Sequence, residues 1–456
     1  LELLTLQSFD PATAPRGRRL YLFAAAALSS TILLKIAQIQ YLELINLGMI
    51  GTLMVAFARN GYQATWFRPY LRIASLYAGF ILVALALGVA ALRFHFYLSE
   101  DMTLLKSPVF ITISRAVELT GNLAMMLYIA NTFRQNEYWL RFTMRVYFWV
   151  GIASTVYSAI SYPLKLAGIA SLGTYSESNR FRGFYNEGGP YGLYVVSLML
   201  VGIGLHRKRW ESGPKLWGAF GLLFISLVMA QSKAAYAAIL FMGVLNVFLA
   251  GSFSRRMVML AAGAVVAISI YELTPVKDAV LIYHKGNEAY ERYSHLRSKD
   301  PDIVYGRVAG AFIVPRMIAA HPLTGIGWGN YGNLRNDPEY RGASVFVEGA
   351  DDPGLGLLGS AADLGLPLTA FLVICLFVPF FYARHRRAPL YVVNLVLWQP
   401  VVHIFGGQLN LTYPWIVTAL ALGLIYAGTA NVNAGQGKLP RADVDAPSLS
   451  GSGDGT

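Results

Sequence analysis

The feature that most limits how this chain can fold is a succession of apolar runs, each about 17 to 25 residues long. A helix rises about 1.5 Å per residue, so a run of this length matches a hydrocarbon layer roughly 30 Å thick. Backbone in lipid has no water to bond with and must satisfy its own N–H and C=O groups, which makes these runs helices. Charged residues are 14% of the chain, against roughly 25% in soluble domains, and mean hydropathy is +0.47. The expected fold is therefore an all-α, polytopic membrane protein. About twelve transmembrane helices are read, at 20–38, 41–57, 72–92, 109–131, 143–163, 188–205, 216–231, 234–250, 257–274, 354–382, 389–405 and 411–428. A short arm, 1–19, precedes spans one to nine, 20–274. One large loop, 275–353, separates them from spans ten to twelve, 354–428. The tail, 429–456, is rich in Gly, Ser, Asp and Pro from Asn431 onward and is expected to be disordered.

The net charge of +12 does not mark a nucleic-acid protein, because the cations sit in short loops between apolar runs. Such loops set orientation and contact lipid headgroups. Alternate loops carry Arg59, Arg68 and Arg72; Arg134, Arg141 and Arg145; Arg207, Lys208, Arg209 and Lys215; Arg255 and Arg256; and Arg384, Arg386 and Arg387. With the N-terminal arginines these fall on one side, which is read as cytoplasmic; both termini then lie there. The first apolar run follows Arg16, Arg18 and Arg19 with no small-residue cleavage site, so it is read as a span rather than a removable signal peptide. The single cysteine, Cys375, has no intrachain partner for a disulfide. None of the seven histidines has metal-ligand spacing.

Polar chemistry collects on the opposite, periplasmic face. Arg180 and Arg182 flank a loop that enters span six, Lys233 sits in the tight turn after span seven, and Arg307 opens a segment, 303–320, that reads as an amphipathic helix. Arginine grips phosphate through two parallel N–H bonds and lysine acts as a point charge, so this set suits a pyrophosphate. Isolated cations at such positions also snorkel to headgroups, although a lone cation in a tight outer turn runs against the positive-inside bias. Glu348, Asp351 and Asp352 close the long loop and Asp363 follows in the next span. Each is placed to take a proton from a sugar hydroxyl, or simply to sit at a solvated helix start. Arg115 and Glu118, three apart within span four, are expected to pair structurally, as are Lys35 and Glu43 across the first outer turn. His321, just before Pro322, reads as positional. His403, near the turn Gly406-Gly407-Gln408-Leu409-Asn410, is within reach of an outer cavity. The Gly-rich stretch from Gly325 to Gly332, with Trp328 and Tyr331, lacks the preceding strand of a dinucleotide loop and suits tight packing or stacking against a sugar ring.

In this order, these segments resemble the O-antigen ligase and polymerase superfamily. His321-Pro322-Leu323-Thr324-Gly325-Ile326-Gly327-Trp328-Gly329-Asn330-Tyr331 looks like that family's "HP" followed by "GxGxxxF/Y", with Arg307 at the start of the helix before it. Arg182-Gly183-Phe184 with Asn186 and Pro190 is similar to its "RxxGxxxxPN". Ser232-Lys233 stands at its "SR", and Asp363-Leu364-Gly365-Leu366-Pro367 resembles its "ExGxxG". The motifs span about residues 170–370.

The resemblance implies a GT-C-like, inverting glycosyltransferase that needs no metal or other cofactor. Its donor would be a glycan on undecaprenyl pyrophosphate, at the periplasmic face of the bacterial inner membrane. Arg180, Arg182, Lys233 and Arg307 would hold the pyrophosphate, and Asp351, Asp352 and Arg307 would serve catalysis. Trp328, Tyr331 and His403 would line the acceptor cavity. The acceptor would be a glycan, for a polymerase, or the lipid A core, for a ligase. Two departures move the reading toward a polymerase: lysine stands at 233 for the family's arginine, and Asp351-Asp352-Pro353 for its histidine. A lipid-linked oligosaccharide transporter is the rival from another class, although the chain lacks the matching halves expected of one.

Overall fold

The computed structural model describes residues 16–36, 39–60, 67–94, 107–169, 173–174, 180–249, 307–342, 355–406 and 408–436, with isolated helical positions at 254, 257, 261 and 264. Its helices are α1 (Arg16–Ser29), α2 (Tyr41–Asn60), α3 (Arg68–Ala90), α4 (Pro108–Gln135), α5 (Glu137–Leu166), α6 (Gly188–Arg207), α7 (Pro214–Ala230), α8 (Lys233–Leu249), α9 (Arg307–Ala320), α10 (Tyr331–Leu334), α11 (Pro338–Arg341), α12 (Leu357–His385), α13 (Leu390–Ile404) and α14 (Thr412–Gln436). Local chemistry sets their starts. Ser107 accepts from the Phe110 N–H to begin α4, with Pro108 behind it; Asn136 does the same for α5 through the Tyr138 N–H.

Among the described residues, three helices, α3, α6 and α12, are long and apolar enough to cross a membrane, and shorter apolar helices pack beside them. Helices α4 and α5 are longer than α3 and α6 but carry Arg115, Glu118 and Arg134, and Glu137, Arg141, Arg145 and Lys165. Large apolar side chains face outward from the bundle: Leu82 on α3 is 68% exposed, Phe224 on α7 61% and Phe381 on α12 61%. Helices with apolar residues both inside and outside are compatible with an all-α membrane protein. The middle of the bundle is α14, whose Tyr413, Trp415, Ile416, Val417 and Leu420 are buried between α4 and α13.

Several expectations are corrected. The run 20–38 is not one helix: α1 ends at Ser29, and a small antiparallel hairpin, β1 (Lys35–Ile36) with β2 (Ile39–Gln40), turns the chain into α2. The tail is helical to Gln436, beyond the point where disorder was expected. Helix α9 buries Ala309, Ile313, Val314 and Met317, and its exposed positions are Pro315, Ala319 and Ala320, so it is one-sided in packing and not in polarity. Apart from 257, 261 and 264, the run 257–274 lies outside the described residues, as do Asp351 and Asp352.

Contacts place one set of helix ends together. Thr31, after α1, donates to the Phe184 carbonyl before α6; Gln40, before α2, donates to Asn410 before α14; the Phe181 N–H donates to Met229 near the end of α7. Basic side chains gather at the other end, where Arg145 pairs with Glu211 at 2.6 Å and Arg134, Arg18 and Arg386 lie over Phe67, Trp139 and Tyr426.

Candidate functional site

At the first of these ends, a break in α12 organises a polar cleft. Gly365 has φ 75°, ψ 165° inside the helix, and Pro367 follows. In an unbroken helix the Ala362 carbonyl would accept from the Leu366 N–H. The Asp363 carbonyl would face Pro367, which has no N–H to give. The turn after α9 supplies the missing partners. The Ile326 N–H donates to the Ala362 carbonyl and the Gly327 N–H to the Asp363 carbonyl, both at 2.9 Å, while the Leu366 N–H turns to the Pro322 carbonyl at 2.7 Å. Such closeness requires glycine at Gly325 (φ 64°), where a Cβ would lie 2.5 Å from the Asp363 carbonyl carbon. Of the two readings of this Gly-rich stretch, the geometry is that of tight packing.

The same turn fixes a carboxylate: the Gly329 N–H donates to Asp363 Oδ2 at 2.9 Å. Asp363 faces an open cleft whose wall also includes Arg115, Glu118, Trp328, Ser360, His403, Gln408 and Asn410. Ser360 and Asp363 are three apart on α12 and so share a face. His403 Nε2 is 3.1 Å from Ser360 Oγ, and Gly356 packs so closely that a Cβ there would overlap the His403 carbonyl. Arg115 Nη1 is 3.1 Å from Glu118 Oε2, and Glu118 is buried. A guanidinium, two carboxylates, an imidazole and amides thus meet at the end of an apolar bundle. Together they can hold an anion, orient hydroxyls and accept a proton.

The structure brings together some residues singled out in the sequence and separates others. The Arg180 guanidinium bonds the Ala230 and Gln231 carbonyls at 3.1 and 3.2 Å, which caps α7 and brings Arg180 to the turn that carries Lys233. Arg182 is tied by its backbone to Gly173. Arg180, Arg182 and Lys233 do not line the cleft; the guanidinium there is Arg115. Arg307 is described in its backbone alone, as the first residue of α9. Trp328 is in the cleft wall, with its ring edge-on to Phe80 and its carbonyl accepting from Thr112 Oγ1. Tyr331 is buried in the small core among Ile313, Val314, Ile326 and Leu334 and is not among the residues of the cleft wall. His321 is positional, its Nε2 2.8 Å from the Tyr340 hydroxyl. Burial, with Glu339 and Asp337 nearby, pushes that phenol up to about 12, so it stays protonated at neutral pH.

Arg115, Glu118 and Asp363 were visible as charges in apolar surroundings, but nothing along the chain tied α4 to α12. The pair itself is testable. Glu118→Ala, which leaves the Arg115 guanidinium without its carboxylate, is expected to destabilise the protein by about 3 kcal/mol, the lower part of the range for broken buried pairs. Thermal unfolding in detergent checks it. The double variant Arg115→Met, Glu118→Leu should recover most of the loss.

Among the described residues no three His, Cys, Asp or Glu side chains are grouped so as to hold a metal ion. No protein-family model and no curated protein sequence matches the chain.

Proposed function

We propose that this chain is a surface-polysaccharide glycosyltransferase of the bacterial inner membrane. It moves a glycan from undecaprenyl pyrophosphate to an acceptor sugar at the periplasmic face, as a polymerase. The observation that carries this reading is the cleft of Arg115, Glu118, Asp363 and His403 at the very end of the bundle where the Arg180–Lys233 turn also lies. In the proposed arrangement about twelve spans cross the membrane, with the 275–353 loop outside. The polyprenyl tail stays in lipid, and the pyrophosphate is met by Arg180, Arg182, Lys233 and Arg307.

The acceptor hydroxyl oxygen attacks the anomeric carbon, the bond from that carbon to the phosphate oxygen breaks, and configuration inverts. Undecaprenyl pyrophosphate leaves with the electron pair, and its developing charge is stabilised by the cations. The hydroxyl proton passes to a base of the cleft. His403, an imidazole in the cleft wall, is the favoured acceptor of that proton. Asp351 and Asp352 lie a few residues before Gly356 in the chain that leads into the cleft, and they orient the acceptor.

The test is purified protein with an undecaprenyl-pyrophosphate glycan in EDTA, products resolved on a gel with and without lipid A core. Ladders from the donor alone are expected. A single transfer that requires the core would replace the polymerase by a ligase. If no undecaprenyl pyrophosphate is released under either condition, the transferase reading falls and the transporter takes its place. Arg307→Ala should abolish the ladders while the protein remains in the membrane.

A further inference from the structure

At the inner end of the cleft lies a group of buried oxygens to which the transfer steps assign no role. Glu43 on α2, Glu118 and Asn122 one turn apart on α4, and Asn410 in the turn before α14 are at most 4% exposed. They form one neighbourhood. Asn122 Nδ2 and Gln40 Nε2 both donate to the Asn410 carbonyl, at 3.3 and 2.8 Å. Thr412 Oγ1 is 2.7 Å from Gln40 Oε1 and 3.3 Å from Glu43 Oε1. Helix α4 comes so close to Glu43 that a Cβ on Gly121 would sit 2.7 Å from the Glu43 Cβ. Four side-chain oxygens here, Glu43 Oε2, Glu118 Oε1, Asn122 Oδ1 and Asn410 Oδ1, are buried with no hydrogen-bond partner among the described residues.

All four are acceptors, so they cannot satisfy one another. The nearest hydroxyl proton, on Thr412, has the shorter path to Gln40. The charges are also unequal. Glu43 and Glu118 act on each other, and Arg115 pairs with Glu118. Lys35 also acts on Glu43, but from the exposed hairpin, where water screens it. Across the cleft, Asp363 and His403 are held by the Gly329 N–H and by Ser360. A surplus negative charge and acceptors without donors, together and buried, call for a positive ion. A proton on Glu43 would cancel that charge but leave Asn122 Oδ1 and Asn410 Oδ1 without a donor. A water would satisfy two and leave the charge. Ligands that are all carboxylate and amide oxygens select a hard cation, and one surplus charge selects a monovalent one.

We propose that Glu43, Glu118, Asn122 and Asn410 bind a monovalent alkali cation that ties α2 and α4 to the start of α14. Glu118 and Asn410 also line the cleft, which gives the ion a route from the aqueous end. The inference does not depend on the transferase reading, and its test needs no activity.

The experiment is thermal unfolding of the purified full chain in choline chloride, with Na⁺ or K⁺ replacing choline at constant ionic strength. A saturable rise of several degrees is expected in the wild type and in Arg180→Ala, and no rise in Glu43→Gln or Asn122→Ala. Retention of ²²Na⁺ by the wild type, lost in Asn122→Ala, gives a second readout should Glu43→Gln fail to fold. Equal midpoints in choline, Na⁺ and K⁺ would overturn the site, as would an undiminished response in both variants. A larger response to Ca²⁺ than to Na⁺ would overturn its monovalent character.

Discussion

Gly365→Ala is expected to unfasten the 321–330 turn from α12 and to destabilise the protein by more than about 4 kcal/mol, a size reserved for backbone clashes and lost cores. At φ 75° an alanine is already strained. Its Cβ would lie 2.6 Å from the Leu323 carbonyl carbon and 2.9 Å from the Gly325 nitrogen. These are backbone atoms, so relief requires moving the turn rather than rotating a side chain. Once the turn moves, the Ala362 and Asp363 carbonyls lose the Ile326 and Gly327 N–H groups, and Asp363 loses the Gly329 N–H. Hydrogen exchange should show protection lost at Ile326, Gly327 and Leu366 together. Gly221 on α7, where a Cβ meets nothing within 4 Å, is the control; its alanine variant should stay within about 1 kcal/mol of wild type. Unchanged protection in Gly365→Ala would show that the turn is not held by this kink.

The second large effect is chemical and rests on the proposed transfer reaction. His403→Ala should lower the rate of glycan transfer by about 10²–10⁴-fold, the usual contribution of a positioned base. Asp363→Asn keeps the shape and an oxygen to accept the Gly329 N–H but removes the charge. It should reduce the rate less, with hydrogen exchange at residues 326–329 unchanged. Single-turnover release of undecaprenyl pyrophosphate is the measurement that separates these losses from weaker donor binding. Wild-type rates in His403→Ala would assign the base elsewhere, with Asp351 and Asp352 next to be replaced.

The helices were legible because their cause is local. The apolar runs at 72–92, 188–205 and 354–382 became α3, α6 and α12 with ends shifted by a few residues, since backbone that leaves water must pair with itself. Where a local signal was ambiguous, the reading failed. The run from Leu20 to Gln38 is interrupted at Ser29-Ser30-Thr31 but holds no Gly or Pro to announce the hairpin, and Thr31 bonding Phe184 and the β1–β2 pairing show why the helix stops.

The Gly- and Pro-bearing segments 321–332 and 363–367 could each be marked as special from their residue types. That one fills the gap in the other could not, because the bonds from Ile326 and Gly327 to Ala362 and Asp363 cross more than thirty residues of chain. The sequence by itself determined that the chain is helical and apolar, and that its polar residues collect in particular loops. These follow from period, length and charge, which are properties of neighbours along the chain. Only the tertiary structure decided which polar residues share a cleft. It put Arg115 and Glu118 of α4 beside Asp363 of α12 and His403 of α13, and it buried Tyr331 instead of displaying it. Partners distant in sequence meet through packing, and packing leaves no periodic trace for a linear reading to find.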